Sequence, residues 1–155
     1  MAENEIAEAR VEHRFETSAE RVFDTWLDPA LVRRWMSASL RSFGLSGDVR
    51  RVEIDPRVGG RFTFSDMREE GEAVHRGTYL EIDRPRKLVF TWFTSEDDER
   101  EGSSIVTLTI APNGDGCVVT IVHRMDAKWA EYIPRTERGW GGMLRESAAL
   151  LARRL

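Results

Sequence analysis

Three histidines and one cysteine carry the most reactive side chains in this sequence, and their spacing decides what they can do together. His13, His75 and His123 fall on three different predicted strands, and none has a second histidine or a cysteine at the short intervals that bind a metal ion. Cys117 is the single cysteine, and it follows a predicted turn and begins a strand, as a small apolar residue does. We therefore expect no metal site, no cofactor and no intramolecular disulfide.

Two glycine-rich strings resemble catalytic or phosphate-binding motifs only superficially. Gly44-Leu45-Ser46-Gly47 lacks the residue that a nucleophile elbow places between its serine and its second glycine. In Gly139-Trp140-Gly141-Gly142, Leu144 stands where a dinucleotide fingerprint has its third glycine, and no βαβ unit surrounds the string. We therefore assign no catalytic residue.

The composition argues against several classes of partner. The 155 residues carry 23 basic and 27 acidic side chains, a net charge of −4, so binding to nucleic acid through bulk charge is not expected. No run approaches the roughly 18 apolar residues that span a bilayer, and residues 1–8 lack the pattern of a signal peptide. A single cysteine fits a reducing compartment. We expect one cytoplasmic domain over residues 1–155, with an ordered core at about 9–153 and no membrane insertion.

The first part of the chain predicts one strand and two helices. Apolar and polar residues alternate at 10–15, which indicates a half-buried strand. Thr17-Ser18-Ala19-Glu20 has the spacing of a capping box with Thr17 as N-cap. Asp28-Pro29 predicts the start of a second helix, since it combines an N-cap acceptor with proline at the first helical position. Residues 37–48 contain two glycines and four serines, which is typical of a mobile loop.

From residue 49 onward the pattern predicts six strands, at 49–54, 60–66, 73–82, 87–94, 103–111 and 116–124. Turn signals separate successive strands at Asp83-Arg84-Pro85-Arg86 and at Asn113-Gly114-Asp115-Gly116. Gly59-Gly60 indicates a bulge where the sheet bends, and the acidic segment 95–102 is predicted as a solvated loop. Because such short connections make neighbouring strands antiparallel, we predict a curved antiparallel meander.

Helical spacing returns in the C-terminal segment, with Thr136 as a candidate N-cap. One stripe of the predicted helix is formed by Trp140, Met143, Leu144, Ser147, Leu151 and Leu155. Some 20 residues make a rod of about 30 Å, long enough to cross the whole sheet. A straight helix cannot press flat against a bent sheet, so large side chains fill the gap or a cavity remains. The predicted class is α+β, a helix-grip arrangement of order β-α-α-β6-α.

Gly139, Gly141 and Gly142 lie near the start of this helix, where each costs helix stability of order 1 kcal/mol relative to alanine. Two interpretations remain open. The glycines form a hinge at the mouth of a cavity, or the helix begins only at Met143.

Several short strings in this sequence are each a weak family signal, but their order and spacing together are specific for one family. They are Ala19-Glu20-Arg21-Val22-Phe23, Trp26-Leu27-Asp28-Pro29 with Trp35, Asp55 with Gly59-Gly60, Gly77-Thr78-Tyr79-Leu80-Glu81-Ile82, Pro85-Arg86-Lys87-Leu88-Val89-Phe90-Thr91-Trp92, His123 and Gly139-Trp140. Over residues 9–153 the chain resembles the activator of heat-shock-protein-90 ATPase C-terminal-like family, within the SRPBCC or START-like superfamily that includes the birch-pollen-allergen fold. One departure is Arg34-Trp35-Met36-Ser37, where that family often has Trp-Trp-Gly-Pro.

The resemblance implies a cavity between the sheet and the C-terminal helix that binds a small, largely hydrophobic molecule without catalysis. The predicted ligand-binding residues are Trp35, Phe62, Phe64, Tyr79, Phe90, Trp92, Leu108, His123, Trp140 and Met143. Trp92 and Trp140 are the best candidates for the walls, and His123 and Tyr79 for orienting a polar group. The alternatives are a solid core with no cavity and a purely structural His123.

Two other functions follow from the same resemblance. The first is a chaperone-interacting module, although the eukaryotic activators carry a separate N-terminal domain for which these 155 residues leave no room. The second is a cyclase- or hydrolase-like enzyme, which ranks last because no acid–base pair stands out. Antiparallel sheet edges could also pair in a homodimer, which the sequence leaves open.

Overall fold

A computed structural model describes residues 6–152 of the chain. Within them the elements are, in order, β1 (Ile6–Phe15), α1 (Ala19–Thr25), α2 (Pro29–Ser42), β2 (Val49–Ile54), β3 (Arg61–Arg68), β4 (Gly71–Asp83), β5 (Lys87–Thr91), α3 (Glu96–Glu101), β6 (Ser104–Asn113), β7 (Gly116–Asp126), a 3₁₀ helix (Ala127–Tyr132) and α4 (Ile133–Ala152).

One antiparallel sheet contains the seven strands of the described residues, in the order β1-β7-β6-β5-β4-β3-β2. From β2 to β7 each strand pairs with its neighbour in sequence, which confirms the predicted meander and the α+β helix-grip class. β1 joins the other edge of β7 and pairs along its whole length, from Ile6 opposite Asp126 to Phe15 opposite Cys117. The long first strand therefore forms one edge of the sheet, and α4 packs against it.

The space between the sheet and the helices holds one continuous apolar core. α4 packs against β1 and α2, and it buries Trp140, Leu144, Ser147 and Leu151. Sheet residues from every strand reach the same cluster, because alternate side chains of each strand point to one face. Leu155, which the sequence places on the same stripe, lies outside the described residues.

The N-terminal caps match the prediction at one helix and correct it at the other. Asp28 accepts hydrogen bonds from the backbone N–H groups of Ala30 and Leu31 at 2.9 and 3.4 Å, as predicted. The cap of α1 is Ser18 rather than Thr17, and its hydroxyl accepts from the backbone N–H of Arg21 at 3.3 Å. Because α1 begins at Ala19, Ser18 is the side chain that reaches the third helical residue.

The predicted loop at residues 37–48 is wrong over its first half, because α2 continues to Ser42. The serines that suggested a loop satisfy their hydroxyls locally: Ser42 Oγ donates to the carbonyl of Ser39 at 2.6 Å, and Ser37 Oγ donates to that of Gly47 at 2.8 Å. Ser39 is buried. Gly44 follows the C-cap residue Phe43, and its φ of 87° is the left-handed conformation that often comes just after a helix.

The segment predicted as a solvated acidic loop contains the short helix α3. Ser95 caps it by accepting from the backbone N–H of Asp98 at 3.1 Å, and acidic side chains in the first turn suit the positive end of a helix. Arg61 of β3 holds Glu99 through two hydrogen bonds of 2.7 and 3.0 Å. Tertiary contacts therefore fix a segment whose composition alone suggested a loop.

Two glycine predictions also need correction. Gly59-Gly60 lies in the turn between β2 and β3 rather than in a bulge, and the breaks in register fall at 49–51 and 79–81. α4 begins at Ile133, so neither Thr136 nor Met143 starts it, and its glycines lie inside the helix. Gly142 makes room for Phe43, whose ring would be 2.6 Å from an added Cβ atom.

Candidate functional site

The inner face of the sheet is apolar at one end and polar at the other. On β3 the period of two that brings Phe62 and Phe64 inward continues to Asp66 and Arg68. His75 of β4 is paired with Phe64, and its ring stacks on that of Trp92, with centroids 5.0 Å apart. The polar ends of the strands therefore meet beside the aromatic residues that the sequence analysis selected.

Large side chains fill the apolar end almost completely. A cavity of only about 10 Å³ remains, close to the space of a single water molecule. Its walls are Trp26, Trp35, Phe62, Phe64, Tyr79, Leu88, Phe90, Trp92 and Trp140. Seven of the predicted ligand-binding residues surround this small space: Trp35, Phe62, Phe64, Tyr79, Phe90, Trp92 and Trp140. Leu108 is fully buried in the same core.

A much larger cavity, of about 500 Å³, opens at the polar end. It lies between the ends of the inner strands, the helix α3, the 3₁₀ helix and the first turns of α4. Trp92, His123, Trp140 and Met143 of the predicted set line it. Charged, polar and further aromatic side chains complete the lining. Among them are Arg68, His75, Phe93, Asp98, Glu101, Ser104, Met125, Lys128, Trp129, Tyr132 and Arg135. Trp92 and Trp140 line both cavities, with ring centroids 4.9 Å apart.

A chain of hydrogen bonds fixes the protonation of His123. Trp140 Nε1 donates to His123 Nδ1 at 3.1 Å, and His123 Nε2 lies 2.7 Å from Ser104 Oγ. An indole N–H can only donate, so Nδ1 is the unprotonated nitrogen and the neutral ring carries its proton on Nε2. Nε2 therefore donates to the Ser104 hydroxyl.

This direction excludes His123 as a general base toward Ser104, because a base must accept the serine proton. Burial lowers the pKa of His123 to about 4, so the ring stays neutral near neutral pH. Burial likewise raises the pKa of the Tyr79 phenol, with Asp55 adding to the effect, so Tyr79 keeps its proton. In this contact His123 therefore does not activate Ser104 as a nucleophile.

A buried ion pair lies at the polar end as well. Arg68 donates from Nε and Nη2 to the two oxygens of Asp66 at 2.8 and 3.2 Å, and Asp66 is only 1% exposed. Asp66 therefore holds Arg68 in place and offsets its charge. Beside them, burial and then Arg68 lower the pKa of His75 to about 4, and its buried Nδ1 has no hydrogen-bond partner among the described residues.

Sequence reasoning missed Asp66, Arg68, His75 and Ser104. The alternation of each strand would find them if it were continued beyond the last apolar residue. Asp66 lies on the same face of its strand as Phe64, His75 on the same face as Tyr79, and Ser104 on the same face as Val106. The prediction ended where the apolar residues end, and of the polar strand residues that line the cavity it selected His123 alone.

Within residues 6–152, no three histidine, cysteine, aspartate or glutamate side chains come close enough to hold a metal ion. None of the helices in the same range is both long and apolar enough to cross a membrane.

The sheet, the long helix and the cavity between them define a helix-grip domain, and three solved structures share this fold. A protein from Chromobacterium violaceum is 23% identical with a TM-score of 0.75, covering 95% of this chain and 98% of its own. A protein of unknown function from Staphylococcus aureus is 18% identical with a TM-score of 0.75, covering 99% and 100%. An AHSA1-like protein from Aeromonas hydrophila is 24% identical with a TM-score of 0.70, covering 92% and 90%.

The family is shown by the sequence itself. The model of the family described as Activator of Hsp90 ATPase homolog 1-like protein matches residues 16–152, and the chain belongs to this family. No curated protein matches the sequence closely enough to count as a relative. The family and the fold are thus established, and the activity has to be argued from the site.

Proposed function

We propose that the protein binds a small, largely hydrophobic molecule in the cavity of about 500 Å³, without catalysing a reaction on it. The observation that carries the proposal is the cavity itself, which falls within the roughly 300–1,000 Å³ of small-molecule sites. Its aromatic wall offers Trp92, Trp140 and Phe93, and polar side chains that include His123 and Ser104 line the rest. Since Cys117 is the single cysteine, we place this activity in a reducing compartment, the cytoplasm.

Two features support binding over catalysis. His123 is held as a neutral donor toward Ser104, so the serine has no base. The ion pair of Asp66 and Arg68 satisfies both partners, and so it leaves no free carboxylate at this end of β3 to act as an acid or a base. Neither Ser104 nor Asp66 is therefore set up to transfer a proton, and the cavity can enclose and orient a ligand.

Native mass spectrometry of the freshly purified protein, compared with its denatured mass, tests the proposal. We expect an additional mass that disappears on denaturation, because unfolding removes the cavity that holds the ligand. The variant Trp92→Leu, which shortens the aromatic wall, should lose most of that mass. Protein that carries no additional mass and also binds none of the aromatic probes described below would contradict the proposal.

A second candidate function rests on the family description, which names an activator of the Hsp90 ATPase. The exposed pair Trp129 and Tyr132, with ring centroids 5.6 Å apart, offers aromatic surface at the rim of the cavity. If this function holds, adding the protein to a purified Hsp90 homologue raises its ATPase rate, and Trp129→Ala reduces the effect. An unchanged rate at every protein concentration would remove this candidate.

A further inference from the structure

The hydrogen-bond chain at the polar end leaves one donor unused. Ser104 Oγ accepts the proton of His123 Nε2 at 2.7 Å, so the hydroxyl cannot also donate to that nitrogen. The described residues give its own proton no acceptor. Ser104 is half-buried and lines the large cavity. An O–H group in this position gains free energy when a ligand supplies an acceptor.

The donor lies directly beside the aromatic wall. The backbone N–H of Trp92 donates to the carbonyl of Ser104 at 3.2 Å, so the two residues are neighbours on adjacent chain segments. Trp140 packs on Trp92 and also donates to His123. A flat ring that packs against these two tryptophans therefore places its substituents close to the Ser104 hydroxyl.

The charges around the cavity are balanced, which bears on the ligand's own charge. Its lining carries Arg68, Lys128 and Arg135 as well as Asp98 and Glu101, and Asp66 compensates the charge of Arg68. Both histidines are neutral donors or acceptors in this environment. No excess of either sign selects an ionic ligand.

We propose that the ligand is an aromatic molecule with an uncharged carbonyl group on or next to its ring, and that Ser104 donates a hydrogen bond to the carbonyl oxygen. This proposal rests on the proposed function and specifies the class of ligand. His123 and Trp140 act as positioning residues, since together they turn the Ser104 proton toward the cavity.

Two probes of nearly the same shape test it. 2-Acetylnaphthalene presents a ring-bound carbonyl, and 2-isopropenylnaphthalene replaces its oxygen by a methylene group. Equilibrium dialysis gives the Kd of each probe for the wild-type protein and for Ser104→Ala. One hydrogen bond corresponds to roughly a three- to ten-fold effect on affinity. We expect Ser104→Ala to reduce the preference for the ketone by that factor and to leave the affinity for the hydrocarbon almost unchanged.

Ser147→Ala is the matched control. Its hydroxyl is fully buried and donates to the carbonyl of Leu144 at 3.1 Å, away from the residues that line the cavity. This variant removes a buried hydroxyl in the same way, but it should keep the wild-type preference between the two probes. The ratio of the two Kd values is insensitive to a general loss of stability, which lowers the affinity for both probes alike.

Trp140→Phe tests the positioning chain. Without the indole N–H, His123 Nδ1 can carry the ring proton, and Nε2 then accepts the proton of Ser104. The hydroxyl loses its freedom to donate to a ligand, so the preference for the ketone should fall as it does in Ser104→Ala. If Trp140 has a purely structural role, Trp140→Phe weakens the binding of both probes equally and leaves the ratio of the two Kd values unchanged.

The outcomes separate the two proposals. If neither probe binds the wild-type protein, this inference fails, and the proposed function fails with it when native mass spectrometry also shows no additional mass. If both probes bind and Ser104→Ala keeps the wild-type ratio, the inference is overturned while the binding function stands. Tighter binding of 2-naphthoate than of 2-acetylnaphthalene would overturn the assignment of an uncharged acceptor.

Discussion

At the scale of single residues, the protonation of His123 links the site to stability. Its pKa is about 4 in the folded protein and about 6.5 in the unfolded chain. Between these values the unfolded chain binds a proton that the folded protein does not, so stability falls as the pH drops from about 6.5 to about 4. Below that range both states are protonated, and no further loss comes from this residue. The greatest loss is about 3 kcal/mol.

The variant His123→Gln isolates this contribution. A glutamine amide can accept from Trp140 and donate to Ser104, but it does not titrate. Urea unfolding at about pH 7 and about pH 4.5 should show that wild-type protein loses up to about 3 kcal/mol more on acidification than the variant does. The other histidines are present in both proteins, so their effects cancel. An equal loss in the two proteins would show that His123 is not held neutral by burial.

The polar half of the site shows what residue-level prediction could and could not reach. Trp92 and Trp140 could be selected from residue type and periodicity together with the family resemblance. The role of Ser104 could not be predicted in this way, because it depends on the register between β6 and β7. Val106 lies opposite His123, and Ser104, two residues before Val106 on the same face, contacts Nε2 of the His123 ring. A serine near a strand end has no distinguishing local pattern, and only the pairing of two strands gives it a partner.

At the scale of elements, the glycines of α4 lead to a prediction about stability. Gly139 has no left-handed backbone conformation, and an added Cβ atom would have nothing within 4 Å. Because alanine loses less chain entropy than glycine in a helix, Gly139→Ala should stabilise the protein by roughly 0.5–1 kcal/mol. The midpoint of urea unfolding measures this gain. A loss of stability would mean that α4 is not helical at this position in solution.

Gly142→Ala is the contrasting variant in the same helix. Its Cβ atom would lie 2.6 and 2.8 Å from two ring carbons of Phe43, so the ring has to move. Phe43 is 47% exposed and can move, but the displaced contact offsets the gain in helix propensity. We expect no stabilisation, or a net loss. A gain equal to that of Gly139→Ala would show that Phe43 does not pack against α4.

Periodicity predicted most elements, and its failures share one physical cause. The meander and the long helix rest on apolar residues at regular intervals, which local pattern shows directly. α2 and α3 were cut short or missed because serines and acidic residues favour loops when judged alone. In the folded protein Ser39 and Leu40 are covered by the core, and Arg61 holds Glu99. Tertiary contacts thus override local propensity at both places.

At the scale of the whole molecule, the interior has a packed apolar end and an open polar end. The apolar end is packed nearly solid, with a residual space of about 10 Å³, and it supplies the stability of the domain. The polar end is open as a cavity of about 500 Å³, which Arg68, His75 and Ser104 line where the strands continue past their apolar residues. A ligand that enters there replaces missing contacts, and its binding should stabilise the whole domain.

This coupling predicts a thermal shift. At a concentration of 2-acetylnaphthalene roughly a hundred times its Kd, binding adds about 2.7 kcal/mol to the stability of the folded state. For a domain of this size that corresponds to a rise in Tm of roughly 5–10 °C, measured by differential scanning fluorimetry. Trp92→Leu removes much of the ring surface that the probe packs against, so the shift should fall to less than half.

Leu151→Ala distinguishes lost binding from lost stability. Leu151 is buried in the last turns of α4 and lines neither cavity, so the substitution should cost about 2–5 kcal/mol through the space it opens. Its Tm should drop markedly, while the shift produced by the probe should remain that of the wild-type protein. If Leu151→Ala lost the shift as fully as Trp92→Leu, binding would depend on the rigidity of the whole core. If both variants kept it, the probe would bind outside the cavity, and the assignment of Trp92 to its wall would be wrong.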